Sequence, residues 1–94
     1  MDKLLQKNRE SIKRIASSHG VQSIRVFGSF ARGEENMESD IDFLVVLEPS
    51  RSLFDIIALK HDLEDLTGRK VDIVTEKGIS PYMAPQILAE AVSL

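Results

Sequence analysis

Residues 26–47 read VFGSFARGEENMESDIDFLVVL and contain the strongest structural signals in the sequence. Gly28-Ser29 interrupts an alternating strand pattern, and a polar loop follows a short run of helix-compatible residues. A near-continuous apolar run then begins at position 41, beside two aspartates, Asp40 and Asp42. Such a run is typical of a central strand that is buried on both faces. The segment therefore predicts a strand, a turn, a short helix, a loop and a second strand.

Periodic patterns continue on both sides of this segment. In chain order we predict a helix over 3–18, a strand over 23–27, a short helix over 30–34, a strand over 41–47, a helix over 52–66, a strand over 71–75 and a last helix. Ser80-Pro81 has the composition of a helix start, whereas Pro85 favours a start near position 84. This order indicates an α/β (α+β) sandwich, with a small mixed sheet of about three to four strands flanked by helices.

The composition limits the classes of protein that remain. The chain has 94 residues and a net charge of −3, with no cysteine. We expect one domain over residues 1–94, because this length leaves no room for a second, acceptor-binding domain. The lack of cysteine excludes disulfides and thiolate metal sites, and favours a reducing, cytoplasmic setting. No apolar run has the length of a membrane span, and the polar N-terminus is unlike a signal peptide. Without a basic stripe, direct nucleic-acid binding is disfavoured.

Acidic residues in the predicted strands are the candidate metal ligands. Because side chains alternate along a strand, Asp40 and Asp42 are expected on the same face of the sheet. Asp42 would open an apolar strand with an inward charge, which needs a cation for compensation. Mg²⁺ prefers carboxylate oxygens and substrate phosphates, so this pair is a candidate bridge for two such ions. Asp72, an acid inside the apolar strand over 71–75, could face the same ions or act as a general base.

The Gly28-Ser29 turn is the candidate phosphate site. Glycine lets the backbone approach a ligand closely, and N–H groups at the start of a following helix can bind a phosphate. Ser29 adds a hydroxyl donor, and Arg32 lies one turn further on, within reach of the same phosphates. Each of these features also has an ordinary structural explanation when it is taken singly. Their joint order along one chain favours a site that binds both a nucleotide and metal ions.

In this order, the residues resemble a known family. The pattern G-S-x10-D-x-D, followed by an acid in a third strand, resembles the signature of the DNA polymerase beta-like nucleotidyltransferase superfamily. The local text GSFARG, then SDID, is similar to its minimal nucleotidyltransferase (MNT) branch, and the resemblance spans nearly the whole chain. It implies that Gly28 and Ser29 form a cradle for the triphosphate, with Arg32 as a phosphate contact.

The same resemblance implies a reaction and a partner. Asp40, Asp42 and Asp72 would be the catalytic carboxylates and the ligands of two Mg²⁺ ions, in the transfer of AMP from ATP to an acceptor hydroxyl. Members of the branch often pair with a HEPN-domain (higher eukaryotes and prokaryotes nucleotide-binding) toxin, as antitoxins of type VII toxin–antitoxin systems. They neutralise the toxin by binding it or by adding AMP to a tyrosine, so a HEPN-domain partner is implied here.

Two other functions stay open from the sequence. The chain could be an antitoxin that acts by occlusion alone, since several apolar residues exceed what one buried helix stripe needs. These are Phe30, Leu53, Phe54, Ile56, Ile57, Ala58, Leu59, Tyr82 and Met83. Core packing would explain the same residues. Alternatively, the acceptor could be a small molecule or RNA, supplied by a partner or across the interface of a homo-oligomer.

The two histidines are left outside the predicted site. His19 follows the first predicted helix, where we expect it to interact with the helix C-terminus. His61 lies among charged residues of the helix over 52–66, where we expect it to face solvent.

Overall fold

Four strands form one mixed sheet in the computed structural model, which describes residues 2–94. They are β1 (Val21–Phe27), β2 (Ile41–Leu47), β3 (Val71–Thr75) and β4 (Val92–Ser93). Their order in the sheet is β3-β2-β1-β4, with β1 antiparallel to both β2 and β4, and β2 parallel to β3. The predicted small mixed sheet flanked by helices is confirmed. The C-terminal strand β4 was not predicted.

Helices connect and cover these strands. They are α1 (Lys3–Lys7), α2 (Arg9–Ser18), α3 (Ser29–Arg32), α4 (Leu53–Thr67) and α5 (Ala84–Glu90), with a 3-10 turn at Glu76–Gly78. The prediction of one helix over 3–18 was wrong, because Asn8 separates α1 from α2. The Asn8 side-chain amide donates to the carbonyl of Leu4 at 2.9 Å, a local bond that competes with regular helix geometry. The last helix begins at Ala84, as Pro85 indicated.

The strand β2 is buried on both faces, as its apolar run predicted. On one face, side chains from α1, α2 and α4 pack against it in a single cluster. The fully buried members of this cluster include Leu5, Ile12, Ile41, Phe43, Val45, Leu59 and Leu63. On the other face, Leu44 packs with Phe27 and with Ile87 of α5. The sheet therefore has helices on both faces, and α5 covers the face that carries the even-numbered residues of β2.

The crossover through α4 aligns the beginnings of β2 and β3. Ser52 and Asp55 form a capping box that fixes the start of this helix, with Asp55 accepting from the Ser52 N–H at 2.9 Å. Because β2 and β3 are parallel, their first residues lie at the same end of the sheet. The antiparallel β1 reaches this end with its last residues, so the Gly28-Ser29 turn lies there too. None of the helices in residues 2–94 combines the length and the apolar character of a membrane-spanning segment.

Candidate active site

The structure places the acidic residues of β2 and β3 side by side. Asp42 is in register with Phe27 of β1 on one side and with Asp72 of β3 on the other. Since β2 and β3 are parallel and in register, Asp42 and Asp72 point to the same face of the sheet. Asp42 is half-buried, whereas Asp40 and the edge-strand residue Asp72 are exposed. Asp40 precedes β2 and lies close enough to Asp42 to act on it electrostatically.

Negative charge predominates in this acidic cluster. Burial raises the pKa of Asp42 to about 6, and the nearby carboxylates of Asp72 and Asp40 contribute to the increase, which Arg32 partly opposes. Within residues 2–94, no three acidic, histidine or cysteine side chains converge into a preformed metal cage. The carboxylates interact but are not gathered around one point. Their oxygen chemistry and excess charge nevertheless fit a hard divalent cation, which would remove the cost of ionising Asp42.

Gly28 is required for a reason that the sequence did not reveal. Its backbone lies at φ +74° and ψ −154°, a region that only glycine adopts readily. In addition, a Cβ at this position would collide with Oδ2 of Asp42. Gly28 thus makes room for the Asp42 carboxylate. Ser29 and Phe30 follow at the start of α3, where backbone N–H groups lack an intrahelical acceptor and are available to a phosphate.

Glu90, at the end of α5, is a site residue that sequence reasoning missed. Its Oε1 accepts a hydrogen bond from the Gly28 N–H at 2.8 Å. Both of its carboxylate oxygens lie 3.2 Å from Nη1 of Arg32, whose Nε also contacts Glu34 at 3.1 Å. The Arg32 guanidinium is therefore already paired with carboxylates. Glu90 is separated from Gly28 by 62 positions, so no local pattern could have revealed this contact.

The structure places the two histidines in different surroundings. His61 is exposed, as expected, and it lines a surface depression together with Asp40 and Asp72. The crossover places this part of α4 beside β3, a proximity that separation along the sequence did not indicate. His19 ends α2, but its side chain does not cap that helix. Its Nε2 instead lies 2.6 Å from Oδ2 of Asp62, which links α2 to α4.

Burial separates the apolar residues that the sequence left unexplained. Phe30 is 3% exposed and belongs to the core. Leu53 and Phe54 at the start of α4 are 70% and 82% exposed, and Tyr82 is 96% exposed. Core packing therefore accounts for Phe30 but not for these three side chains.

The residues brought together at this end of the sheet indicate the kind of enzyme. A mixed sheet brings a carboxylate cluster next to a glycine–serine turn, which is an arrangement suited to an enzyme that transfers a phosphate-bearing group. The family described as the nucleotidyltransferase domain matches residues 5–94. The chain belongs to this family, and it is an enzyme of the nucleotidyltransferase class. Enzymes of this type use a nucleoside triphosphate and a divalent metal ion.

Similar proteins agree with this assignment. The protein MJ0435 of Methanocaldococcus jannaschii, whose name marks it as a candidate protein adenylyltransferase, is 42% identical over 91 residues. This match covers 93% of the chain and 98% of that protein. The protein adenylyltransferase MntA of Thermococcus cleftensis is 40% identical over 80 residues, which cover 85% of the chain and 81% of that protein. The predicted resemblance to this branch is confirmed.

Solved structures share the fold. A candidate minimal nucleotidyltransferase superposes with a TM-score of 0.89 at 45% identity, covering 100% of this chain and 97% of that one. A toxin–antitoxin structure with AMP-PNP gives a TM-score of 0.79 at 23% identity, covering 92% and 71% of the two chains. The structure of a tri-AMPylated Shewanella oneidensis HEPN toxin in complex with an MNT antitoxin gives a TM-score of 0.72 at 21% identity, covering 94% of this chain and 69% of that one. At such identities, the two complexes show a common fold alone.

Proposed function

We propose that the chain is a magnesium-dependent protein adenylyltransferase. It transfers AMP from ATP to a tyrosine hydroxyl of a HEPN-domain toxin, and so acts as the antitoxin of that pair. The observation that carries the proposal is the parallel register of Asp42 and Asp72, with Gly28 packed against the Asp42 carboxylate. The names of the relatives support AMP as the transferred group, and the AMPylated HEPN toxin in one neighbouring structure supports the partner.

In this mechanism, the glycine–serine turn binds the triphosphate. The Ser29 hydroxyl and the first N–H groups of α3 would donate to phosphate oxygens. Arg32 would add positive charge to the same subsite once a phosphate replaces Glu90 as its partner. The Gly28 N–H is occupied by Glu90, so Gly28 contributes mainly the space for Asp42. Catalysis would then depend mostly on positioning and charge stabilisation.

The acidic cluster would hold the metal and receive the acceptor proton. Asp40, Asp42 and Asp72 would be the ligands of two Mg²⁺ ions, and their carboxylate chemistry suits that cation. When bound, these ions supply charge neutralisation for the triphosphate and the departing pyrophosphate. Asp72 lies exposed on the edge strand, where it can take the proton of an incoming hydroxyl. The depression beside Asp40 and Asp72 lies on the surface, so a hydroxyl on a second protein can reach it.

A second candidate function is neutralisation by occlusion, without group transfer. The exposed apolar side chains of Leu53, Phe54 and Tyr82 favour contact with another protein. In this case the partner would be bound but not modified.

One experiment separates these candidates. The purified chain is incubated with ATP labelled at the α-phosphate, Mg²⁺ and a candidate HEPN-domain partner. Mg²⁺-dependent label on the partner, lost when the partner's acceptor tyrosine is changed to phenylalanine, supports the adenylyltransferase. Binding without label supports occlusion, and label on a small molecule or RNA instead would overturn the protein acceptor.

A further inference from the structure

Arg69 contacts the loop before Asp40 and the short helix α3 that follows the glycine–serine turn. It lies in the connection between α4 and β3, where it is half-buried. Its Nη2 donates to the carbonyl oxygen of Asn36 at 2.6 Å and to that of Ser39 at 2.7 Å. Both carbonyls belong to the loop that leads into Asp40. A single guanidinium nitrogen therefore donates hydrogen bonds to two residues of this loop.

The backbone of Asp40 is held on both of its sides. On the N-terminal side, Ser39 is bound by the Arg69 side chain. On the C-terminal side, the Ile41 N–H donates to the carbonyl of Lys70 at 2.9 Å. Two consecutive residues, Arg69 and Lys70, therefore restrain the backbone on both sides of Asp40. The same connection leads directly into β3, the strand that carries Asp72.

A stacking contact extends this arrangement to the glycine–serine turn. The guanidinium carbon of Arg69 lies 5.2 Å from the ring centroid of Phe30, within the range of a cation–π contact. Phe30 is buried in the core and is the second residue of α3, directly after Ser29. The planar guanidinium can stack on a ring and donate to carbonyls at the same time, whereas an ammonium group cannot reproduce both contacts.

We propose that Arg69 is a positioning residue that holds Asp40 in place relative to Asp42 and Asp72, and so determines how tightly the acidic cluster binds a divalent cation. In this proposal, Arg69 acts through the backbone next to Asp40 and is not itself a ligand of the metal or the nucleotide. The inference rests on the proposed function only in taking the acidic cluster as the metal site. Nothing in it depends on which acceptor receives AMP.

The test compares Arg69→Ala and Arg69→Lys with the wild-type chain, and with Arg14→Ala as a control at an exposed position of α2. Mn²⁺ serves as the probe, and its affinity for the nucleotide-free protein is measured by electron paramagnetic resonance. Amide hydrogen exchange reports on residues 36–41, and urea denaturation reports on global stability. In active preparations, kcat and the KM for ATP are measured separately.

For Arg69→Ala we expect Mn²⁺ affinity to fall by roughly 10–100-fold, as with other residues that orient metal ligands. Exchange should accelerate in residues 36–41 but not in the centre of β2. The kcat should decrease much more than the KM for ATP increases. The Mn²⁺ affinity of Arg69→Lys should lie between those of wild type and Arg69→Ala. An ammonium group can keep one contact to a carbonyl but cannot also stack on the Phe30 ring. Arg14→Ala should leave every measurement unchanged.

Two results would overturn the proposal: unchanged Mn²⁺ affinity and exchange in folded Arg69→Ala, or a uniform rise of exchange across the sheet, which indicates a purely structural role. If Arg69→Ala does not fold, Arg69→Lys decides, and wild-type Mn²⁺ affinity in that variant would overturn the inference. Failure of the proposed function gives a different result. If the wild-type chain binds Mn²⁺ but transfers no AMP, the proposed reaction is refuted, and the Mn²⁺ affinities of the Arg69 variants still test the positioning role. A wild-type chain that binds no Mn²⁺ refutes both.

Discussion

Replacing Asp42 with asparagine should stabilise the metal-free protein at neutral pH while it abolishes Mg²⁺-dependent AMP transfer. Asparagine keeps the size of the side chain and removes its charge. The folded protein raises the pKa of Asp42 from 3.8 to about 6, chiefly by burial and then through Asp72 and Asp40. The folded state therefore binds the Asp42 proton more tightly than the unfolded chain. The resulting stabilisation is complete below pH 3.8 and is lost as the pH rises through 6.

The magnitude follows from the same pKa values. The interval between 3.8 and about 6 corresponds to at most about 3 kcal/mol in the free energy of unfolding. Because Asp42 is only half-buried, solvent screening reduces this figure, and we expect about 1–2 kcal/mol. For a domain of this size, each 1 kcal/mol shifts the Tm by roughly 4–8 °C. Asp42→Asn should thus melt several degrees higher than wild type at pH 8 and at nearly the same temperature at pH 4.

The assay is thermal and urea denaturation between pH 4 and pH 8 in the presence of a chelator, with Asp65→Asn as the control for loss of an exposed carboxylate in α4. Added Mg²⁺ should stabilise the wild type and leave Asp42→Asn almost unaffected, because ligand binding to the folded state alone raises stability. A stability difference that is independent of pH would refute the electrostatic argument. Unchanged AMP transfer by Asp42→Asn would refute the assignment of the site.

Further substitutions test the remaining parts of the site. Gly28→Ala should destabilise the protein by about 2–3 kcal/mol and abolish transfer, because it adds both backbone strain and a collision with Asp42. The matched change Gly33→Ala, where φ is +72° and no atom lies within 4 Å, should cost only about 1 kcal/mol in urea denaturation; equal losses in the two variants would contradict the collision. Glu90→Gln should tighten ATP binding in calorimetry, because it frees Arg32 and removes a carboxylate near Asp42. Glu34→Gln, at the more exposed partner of Arg32, should have a smaller effect, and weaker ATP binding by Glu90→Gln would disprove this reasoning. Asp72→Asn should lower kcat far more than it weakens ATP binding, and the reverse pattern would exclude Asp72 as the proton acceptor.

Local patterns predicted most of the secondary structure. The apolar run of β2 and the strand over 71–75 were predicted with the bounds that the structure has, because a strand interior bounded by turn residues is a local signal. The predicted helix over 3–18 is divided at Asn8, whose side-chain amide donates to the Leu4 carbonyl. Such a bond depends on one residue and not on a period, so the periodic pattern could not predict the division. The two-residue strand β4 is too short to show any period, and its pairing with β1 is a contact between distant parts of the chain.

Spacing along the sequence was enough to predict one part of the site. The alternation of strand side chains predicts that Asp40 and Asp42 share a face, and Gly28-Ser29 marks the turn into α3. The tertiary structure alone decided which distant residues join them. Parallel pairing of β2 and β3 brings Asp72 beside Asp42, and the return of α5 over the sheet brings Glu90 to Gly28. Register and crossover depend on how helices pack across the whole sheet, and no local spacing encodes that packing.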